Sequence, residues 1–157
     1  MDAYEFFPTG RDGRKVRAFF LKDKFIEPYK TLPPEWGPVG FFTFKRTYAR
    51  PVESEDRTED WWETCRRVVE GCFNIQKIHC RKFSLPWNEY KAQKSAQEMY
   101  DRMFRFKWLP PGRGLWTMGT DIVYEKGSAC LNNCAFVSTK DIGVDFASPF
   151  CFLMDMS

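Results

Sequence analysis

Long apolar runs, histidine and strong net charge are all scarce in this sequence. No uninterrupted hydrophobic stretch approaches the roughly 18 residues that a membrane span needs, so no spanning helix is expected. The start, Met1-Asp-Ala-Tyr-Glu5, has neither a basic n-region nor an apolar h-region, so no secretory signal is expected. A net charge of +3 over 157 residues is too small to imply a nucleic-acid partner by itself. The single histidine, His79, stands beside Cys80, but the Cys65-x6-Cys72-x6-His79-Cys80 spacing lacks the tight C-x2-C knuckle of zinc sites. No metal site is expected there. The glycine pair of Pro111-Gly-Arg-Gly114 lacks the Gly-x4-Gly-Lys-Ser/Thr pattern of a P-loop and is a weak phosphate signal on its own.

What is present suits one domain with a real core. Hydrophobic residues make up 43% and aromatics 18%, which argues against disorder throughout. Charge is unevenly spread. In residues 110–157 the acids Asp121, Glu125, Asp141, Asp145 and Asp155 outnumber Arg113, Lys126 and Lys140, so the excess of base lies earlier. A solvated basic face explains this, or one that helps a nucleotide approach. Six cysteines in a chain this long and this rich in helix signals do not read as a secreted disulfide scaffold. Reduced thiols in a soluble, cytoplasmic setting are expected.

Residues 1–38 read as an irregular N-terminal extension, with a turn at Thr9–Gly13 and a linker at Leu32–Pro38. Arg17–Phe25 fits one short strand or one short helix. Gly40–Arg50 is β-prone and stopped by Pro51, and reads as a half-buried strand with a basic outer face. Residues 39–109 are otherwise mainly helical. Thr58 is a candidate N-cap, with Glu59 and Asp60 in the first turn. Trp61, Trp62, Cys65, Val68, Val69 and Cys72 then share one helical face, and Gly71 suits a C-terminal stop. A second helix starts near Pro86–Asn88 and runs to about Lys107. Its apolar stripe is Ala92, Ala96, Met99, Tyr100, Met103 and Phe104, and Pro110-Pro111 ends it.

Residues 110–157 change character. Pro111–Gly114 reads as a turn, Leu115–Thr120 as short and apolar, and Asp121–Gly127 as a polar excursion. Cys134-Ala-Phe-Val-Ser-Thr139 is strand-like with no charge on either alternating face, as in a barrel or parallel sheet. Cys130 and Cys134 would lie roughly 13 Å apart on an extended strand, against the about 7 Å that a disulfide tolerates. A local bridge is disfavoured unless Leu131–Asn133 turns, and Cys151 is the one later partner. Ser148 and Pro149 read as a helix start with no end signal, as in a truncated sequence.

Five runs occur in order: Phe44-Lys-Arg-Thr-Tyr-Ala-Arg50, Arg67-Val-Val-Glu-Gly71, Gly112-Arg-Gly-Leu-Trp-Thr-Met-Gly-Thr120, Leu131-Asn-Asn-Cys-Ala-Phe-Val137 and Pro149-Phe-Cys-Phe-Leu153. In that order the chain, from about residue 39 to its end, resembles ribonucleotide reductase. The likeness is greatest to the adenosylcobalamin-dependent class II, of the monomeric triphosphate-reductase type. Residues 1–38 look unlike the family. The resemblance implies an α/β fold, α+β within this chain, in which a helical N-terminal region leads into the first strands of a ten-stranded barrel over 110–157.

It also implies a chemistry. A radical cysteine abstracts the ribose 3′-hydrogen, and two further cysteines supply electrons and close to a disulfide. The first of that pair corresponds to Cys134. Thr120, in the Gly-Thr that ends its strand, and Asn133 correspond to positions that line the substrate pocket. The radical cysteine, the second reducing cysteine, the adenosylcobalamin contacts and the main effector region are expected beyond Ser157, so the chain alone is expected to be inactive. The implied partners are a ribonucleoside triphosphate, a dNTP effector and thioredoxin or a similar dithiol. No membrane and no stable nucleic-acid complex are expected.

Two other readings compete. One is a basic, aromatic binding module that holds nucleic acid through Lys45, Arg46, Tyr48 and Arg50. The other is a dimanganese or di-iron reductase, whose N-terminal third is similar in outline.

Overall fold

Asp60 starts the longest helix because its backbone N–H is taken by the Glu63 carboxylate three residues on, at 2.7 Å. In the computed structural model, residues 6–9, 14–52, 54–132, 147 and 151 are described. Strands β1 (Phe6–Thr9) and β2 (Arg14–Arg17) form an antiparallel pair with Phe7 opposite Val16. Helices α1 (Asp23–Thr31) and α2 (Pro38–Thr47) follow. A minimal antiparallel pair, β3 (Pro51–Val52) and β4 (Arg57–Thr58), leads into α3 (Trp61–Lys82) and α4 (Glu89–Phe104). Two six-residue helices, α5 (Gly112–Thr117) and α6 (Asp121–Lys126), and a 3-10 turn over Ser128–Leu131 complete the order. The described part is therefore mostly helical.

Helices α3 and α4 pack together and make the core. Cys65, Val68 and Val69 from α3 meet Ala96, Tyr100 and Met103 from α4, all buried. The expected stripes on both helices are the buried faces, with Trp62, Cys72 and Met99 only partly covered. Aromatic rings extend this core toward α1 and α2. Trp61 stacks on Phe106 at 5.0 Å and meets Phe44 edge-on at 5.3 Å. Tyr29 meets Tyr100 and Phe104 edge-on.

Both long helices end in the same device. After α3, Leu85 N–H donates to Cys80 O and Ser84 N–H to Arg81 O, with Ser84 at φ +55°. After α4, Lys107 N–H donates to Arg102 O and Phe106 N–H to Met103 O, with Phe106 at φ +55°. These are Schellman motifs closed by residues other than glycine. The α4 motif ends that helix before Pro110-Pro111 is reached.

Residues 18–22 solve the strand-or-helix alternative in a third way. The segment belongs to neither a helix nor a strand. Side chains of α3 and α4 bond its backbone instead. Phe19 N–H donates to Asn74 Oδ1 at 2.6 Å, and Asn74 Nδ2 donates back to Phe19 O at 3.2 Å. Leu21 N–H donates to Glu70 Oε1 at 2.8 Å, and Gln93 Nε2 to Phe20 O at 2.6 Å. Buried backbone groups need partners, and these polar side chains supply them. Phe19 and Leu21 can then enter the core.

Several expectations from sequence are corrected. Gly40–Arg50 is not a strand: Pro38 takes the first helical position of α2, and Phe44 turns inward against Trp36 and Trp61. Thr58 does not cap α3; it is extended and paired with Pro51. Gly71 does not stop α3, which runs eleven residues further to Lys82. Leu115–Thr120 is no strand, because Leu115–Thr117 belongs to α5, and Asp121–Lys126 forms α6. No strand of a ten-stranded barrel is visible among the described residues, where the strands form two antiparallel pairs. The strand expected at Cys134–Thr139 and the helix start at Ser148-Pro149 lie outside the described residues.

Candidate functional site

Three of the five sequence runs, far apart in the chain, meet at one place: the segment from Gly112 to Thr120 and the helices that hold it. Helix α5 has only six residues, too few to persist by itself in water. Its last carbonyls have no partner within the helix, and arginines from elsewhere supply them. Arg67 on α3 donates through Nη1 to Met118 O at 2.6 Å and through Nη2 to Leu115 O at 2.9 Å. Arg50 Nη1 donates to Trp116 O at 3.2 Å, with its guanidinium 6.0 Å from the Trp116 ring centre.

The Arg67 fork is itself held. Its Nε donates to Glu59 Oε1 at 2.6 Å and its Nη2 to Glu59 Oε2 at 2.8 Å. Glu59 is 8% exposed and also accepts from Thr64 Oγ1 at 2.8 Å and from Arg50 N–H at 3.3 Å. A planar guanidinium suits this task because it presents several donors in fixed directions.

Two glycines let the segment come close. A Cβ on Gly71 would lie 2.6 Å from Gly119 N and 2.7 Å from Gly119 Cα. Gly119 sits at φ +78°, and a side chain there would collide with the Arg67 carbonyl. Gly112 faces the Tyr48 ring, whose Oη and Cε1 would each be 3.2 Å from an added Cβ. Packing space for Tyr48 thus accounts for this glycine without a phosphate.

Thr120 follows Gly119 directly. It is partly buried, its N–H donates to Thr117 O at 3.1 Å, and its Oγ1 donates to the same carbonyl at 2.7 Å. The hydroxyl oxygen keeps its lone pairs as acceptors. It donates to a ligand only by turning away from Thr117. The other two expected site residues, Asn133 and Cys134, lie outside the described residues. The chain reaches that point through the 3-10 turn, where Cys130 is buried and its thiol donates to Gly127 O at 3.0 Å.

In Arg67-Val-Val-Glu-Gly71 the sequence places Val68 and Val69 on the apolar face and Gly71 at a helix stop, and it offers no role for Arg67 or Glu70. The structure gives each charged or flexible member a partner. Arg67 holds α5, Gly71 admits Gly119, and Glu70 accepts from Leu21 N–H and from Arg66 Nε at 2.8 Å. Burial pushes the Glu70 carboxyl up despite Arg66 beside it. Glu59, expected in the first turn, lies one residue before the N-cap Asp60, and its ion pair with Arg67 has no sequence signature. Gly71 inside an apolar helical stripe was the available signal of a close approach.

The basic-aromatic platform is not assembled. Lys45, Arg46 and Tyr48 lie on or just past a helix, and two of the three cations, Lys45 and Arg50, are engaged. Lys45 Nζ donates to Asp60 Oδ1 and Glu59 O, both at 2.9 Å, and Arg50 holds Trp116 O. No group of three or more His, Cys, Asp or Glu side chains among the described residues is placed to hold a metal ion. Burial raises the Cys65 and Cys72 thiols above their ordinary value, as suits core residues. A cavity of about 270 Å³ opens beside Trp36, Trp61 and Trp62, away from Thr120. It is smaller than the roughly 300–1,000 Å³ typical of drug-sized ligand sites, so a corrinoid does not fit it. No described helix is long and apolar enough to cross a membrane.

Comparison with known proteins agrees with the ordered runs. Residues 21–120 match the sequence model of the ribonucleotide reductase alpha domain. That match begins well before residue 39, so part of the supposedly unlike N-terminal region, with α1, shares the likeness. The chain is 49% identical over 145 residues to a probable adenosylcobalamin-dependent ribonucleoside-triphosphate reductase of Dictyostelium discoideum, covering 90% of this chain and 19% of that protein. It is 42% identical over 147 residues to the adenosylcobalamin-dependent ribonucleoside-triphosphate reductase of Euglena gracilis, covering 91% and 20%. A crystal structure of a B12-dependent (class II) ribonucleotide reductase superimposes with TM-score 0.66 at 37% identity, covering 76% of this chain and 16% of that one. The chain spans about a fifth of the length of these curated relatives. With the fold, the ordered runs and the family match in agreement, the chain belongs to the ribonucleotide reductase alpha-domain family.

Proposed function

We propose that this chain is part of a reductase that converts ribonucleoside triphosphates to 2′-deoxyribonucleoside triphosphates. The family match over residues 21–120 carries the reading, and the names of the relatives supply the substrate class. Cys134 is one of the two reducing thiols. Overall, one ribonucleotide and two thiols give one deoxyribonucleotide, one water and one disulfide. The 2′-oxygen leaves as water, and the electron pair comes from the two sulfurs as they join. The radical cysteine that takes the 3′-hydrogen, and the second reducing cysteine, belong to the remainder of the polypeptide. Thr120 and Asn133 line the substrate pocket.

Adenosylcobalamin, named in the relatives, would supply the radical that starts the reaction. The cavity beside Trp36, Trp61 and Trp62 is too small for it, and its contacts are assigned outside this chain. A dNTP effector and thioredoxin or a similar dithiol complete the partners. The described cysteines, Cys65, Cys72, Cys80, Cys130 and Cys151, are all free, which suits a reducing, cytoplasmic setting. We assign residues 1–38 to an N-terminal extension, 39–109 to a helical region, and 110–157 to the start of the catalytic barrel.

The test is Cys134→Ser in the full-length reductase, with an external dithiol as the sole electron source. Deoxyribonucleotide output should drop to background. Wild-type output would overturn the assignment. The 157-residue chain alone should show no turnover.

A further inference from the structure

We propose that Arg67, locked by Glu59, is a positioning residue that sets the Gly119–Thr120 turn for substrate binding. This rests on the reading that Thr120 lines the pocket.

The argument is one of constraint. Thr120 is held on one side by Thr117 O, which takes both its N–H and its hydroxyl, and on the other by α6, whose Val123 N–H donates to Thr120 O at 3.1 Å. Thr117 ends a six-residue helix that cannot fix its own place. The place comes from outside: Leu115 enters the core, Arg50 holds Trp116 O, and Arg67 makes two contacts, on Leu115 O and Met118 O, that bracket Thr117. Glu59 places both carboxylate oxygens on the same guanidinium, so the fork is oriented by a contact that does not involve α5. The buried pair is 14% exposed on the arginine side and 11% on the glutamate side, so water competes little for these bonds. Gly71 adds a steric stop, since it lets Gly119 come within contact of the α3 backbone directly above Arg67. A lysine keeps the charge but has three donors on one nitrogen, against the four bonds that Arg67 makes from three nitrogens to both Glu59 oxygens, Leu115 O and Met118 O. Small displacements of a positioning group are costly: a shift of 1 Å can cost about 100-fold.

The experiment uses the full-length reductase with ATP as the probe ribonucleotide. It measures the equilibrium Kd, the KM and kcat, and the melting temperature of Arg67→Lys, Glu59→Gln, Thr120→Val and the Arg67→Lys/Thr120→Val double variant. Arg67→Lys should raise Kd and KM by about 10-fold, with kcat changed less than about 3-fold. Glu59→Gln should act in the same direction, by about 3-fold, because it keeps the acceptor and loses the charge. The double variant should bind no more weakly than Thr120→Val alone, because Arg67 acts through Thr120.

Additive losses in the double variant overturn the proposal, as does an unchanged Kd in folded Arg67→Lys. If Arg67→Lys fails to fold, the same cycle with Glu59→Gln decides. Thr120→Val that binds ATP like the wild type overturns the pocket reading itself. Weakened binding in Thr120→Val with unchanged binding in Arg67→Lys overturns the positioning role alone.

Discussion

The α3–α4 pair and the α5–α6 segment are both helical, yet different forces hold them. The pair is joined by burial: Tyr100, Met103, Val68, Val69 and Cys65 are almost fully enclosed. The segment buries less, chiefly Leu115, Thr117 and Val123, and adds two close glycine contacts and two arginines on its carbonyls. Its Trp116 is 50% exposed. Burial is broad and tolerates small shifts, whereas a guanidinium fork is directional and sets a turn to within a hydrogen-bond length. The molecule uses the first for bulk and adds the second next to Thr120.

The largest expected effect lies on the burial side of that contrast. Trp61→Ala removes stacking on Phe106, the edge contact with Phe44 and the bond from Nε1 to Phe104 O at 3.1 Å. It should cost about 3–5 kcal/mol in urea unfolding. A loss near zero would mean that the aromatic cluster does not hold the pair together.

A smaller test uses the two Schellman motifs, which share one backbone conformation. Ser84→Gly should stabilise by about 0.5–1 kcal/mol, because relief of the left-handed strain exceeds the added unfolded-state entropy. Phe106→Gly relieves the same strain but loses the Trp61 stack, and should destabilise by about 1 kcal/mol. Equal signs for the two would show that stacking contributes nothing at Phe106.

The smallest effect is alkaline. Burial, then the hydrogen bond and charge of Asp101, push the Tyr29 hydroxyl up to about 12, from an ordinary value of 10.0. The folded state therefore keeps its proton where the unfolded chain loses it. The stability this gives is fully present below pH 10 and is lost as pH rises toward about 12. Unfolding free energy measured across that window should decline less steeply in Tyr29→Phe than in the wild type.

Much of the burial side was legible in the sequence, and little of the polar side. The stripes Trp61–Cys65–Val68–Val69 and Ala92–Ala96–Tyr100–Met103 repeat at helical spacing over several turns, so period alone finds them. Asn88 was a readable start, and its side chain accepts from Lys91 N–H at 3.0 Å. Helix α2 was misread because Phe, Thr and Tyr favour strands intrinsically, while tertiary contact at Phe44 and the Pro38 start decide otherwise. Thr58 and Asp60 both carry a capping oxygen, and Glu63 three residues after Asp60 was the better signal. Leu115–Thr120 is too short for periodicity to separate strand from helix. At the site, the order of the runs pointed to Thr120, but not to what holds it. The Glu59–Arg67–Met118 chain of contacts joins residues with no fixed spacing, and only the folded arrangement brings them together.

The side-chain cradle around residues 18–22 has a consequence for how such chains avoid sticking to one another. A segment outside helix and sheet normally leaves a row of open N–H and C=O groups that can recruit a foreign strand. Here Asn74 and Glu70 occupy Phe19 and Leu21, while Gln93 takes Phe20 O. In this apolar Phe-Phe-Leu stretch the N–H groups of Phe19 and Leu21 and the carbonyls of Phe19 and Phe20 are thus denied to a foreign strand by amides and a carboxylate.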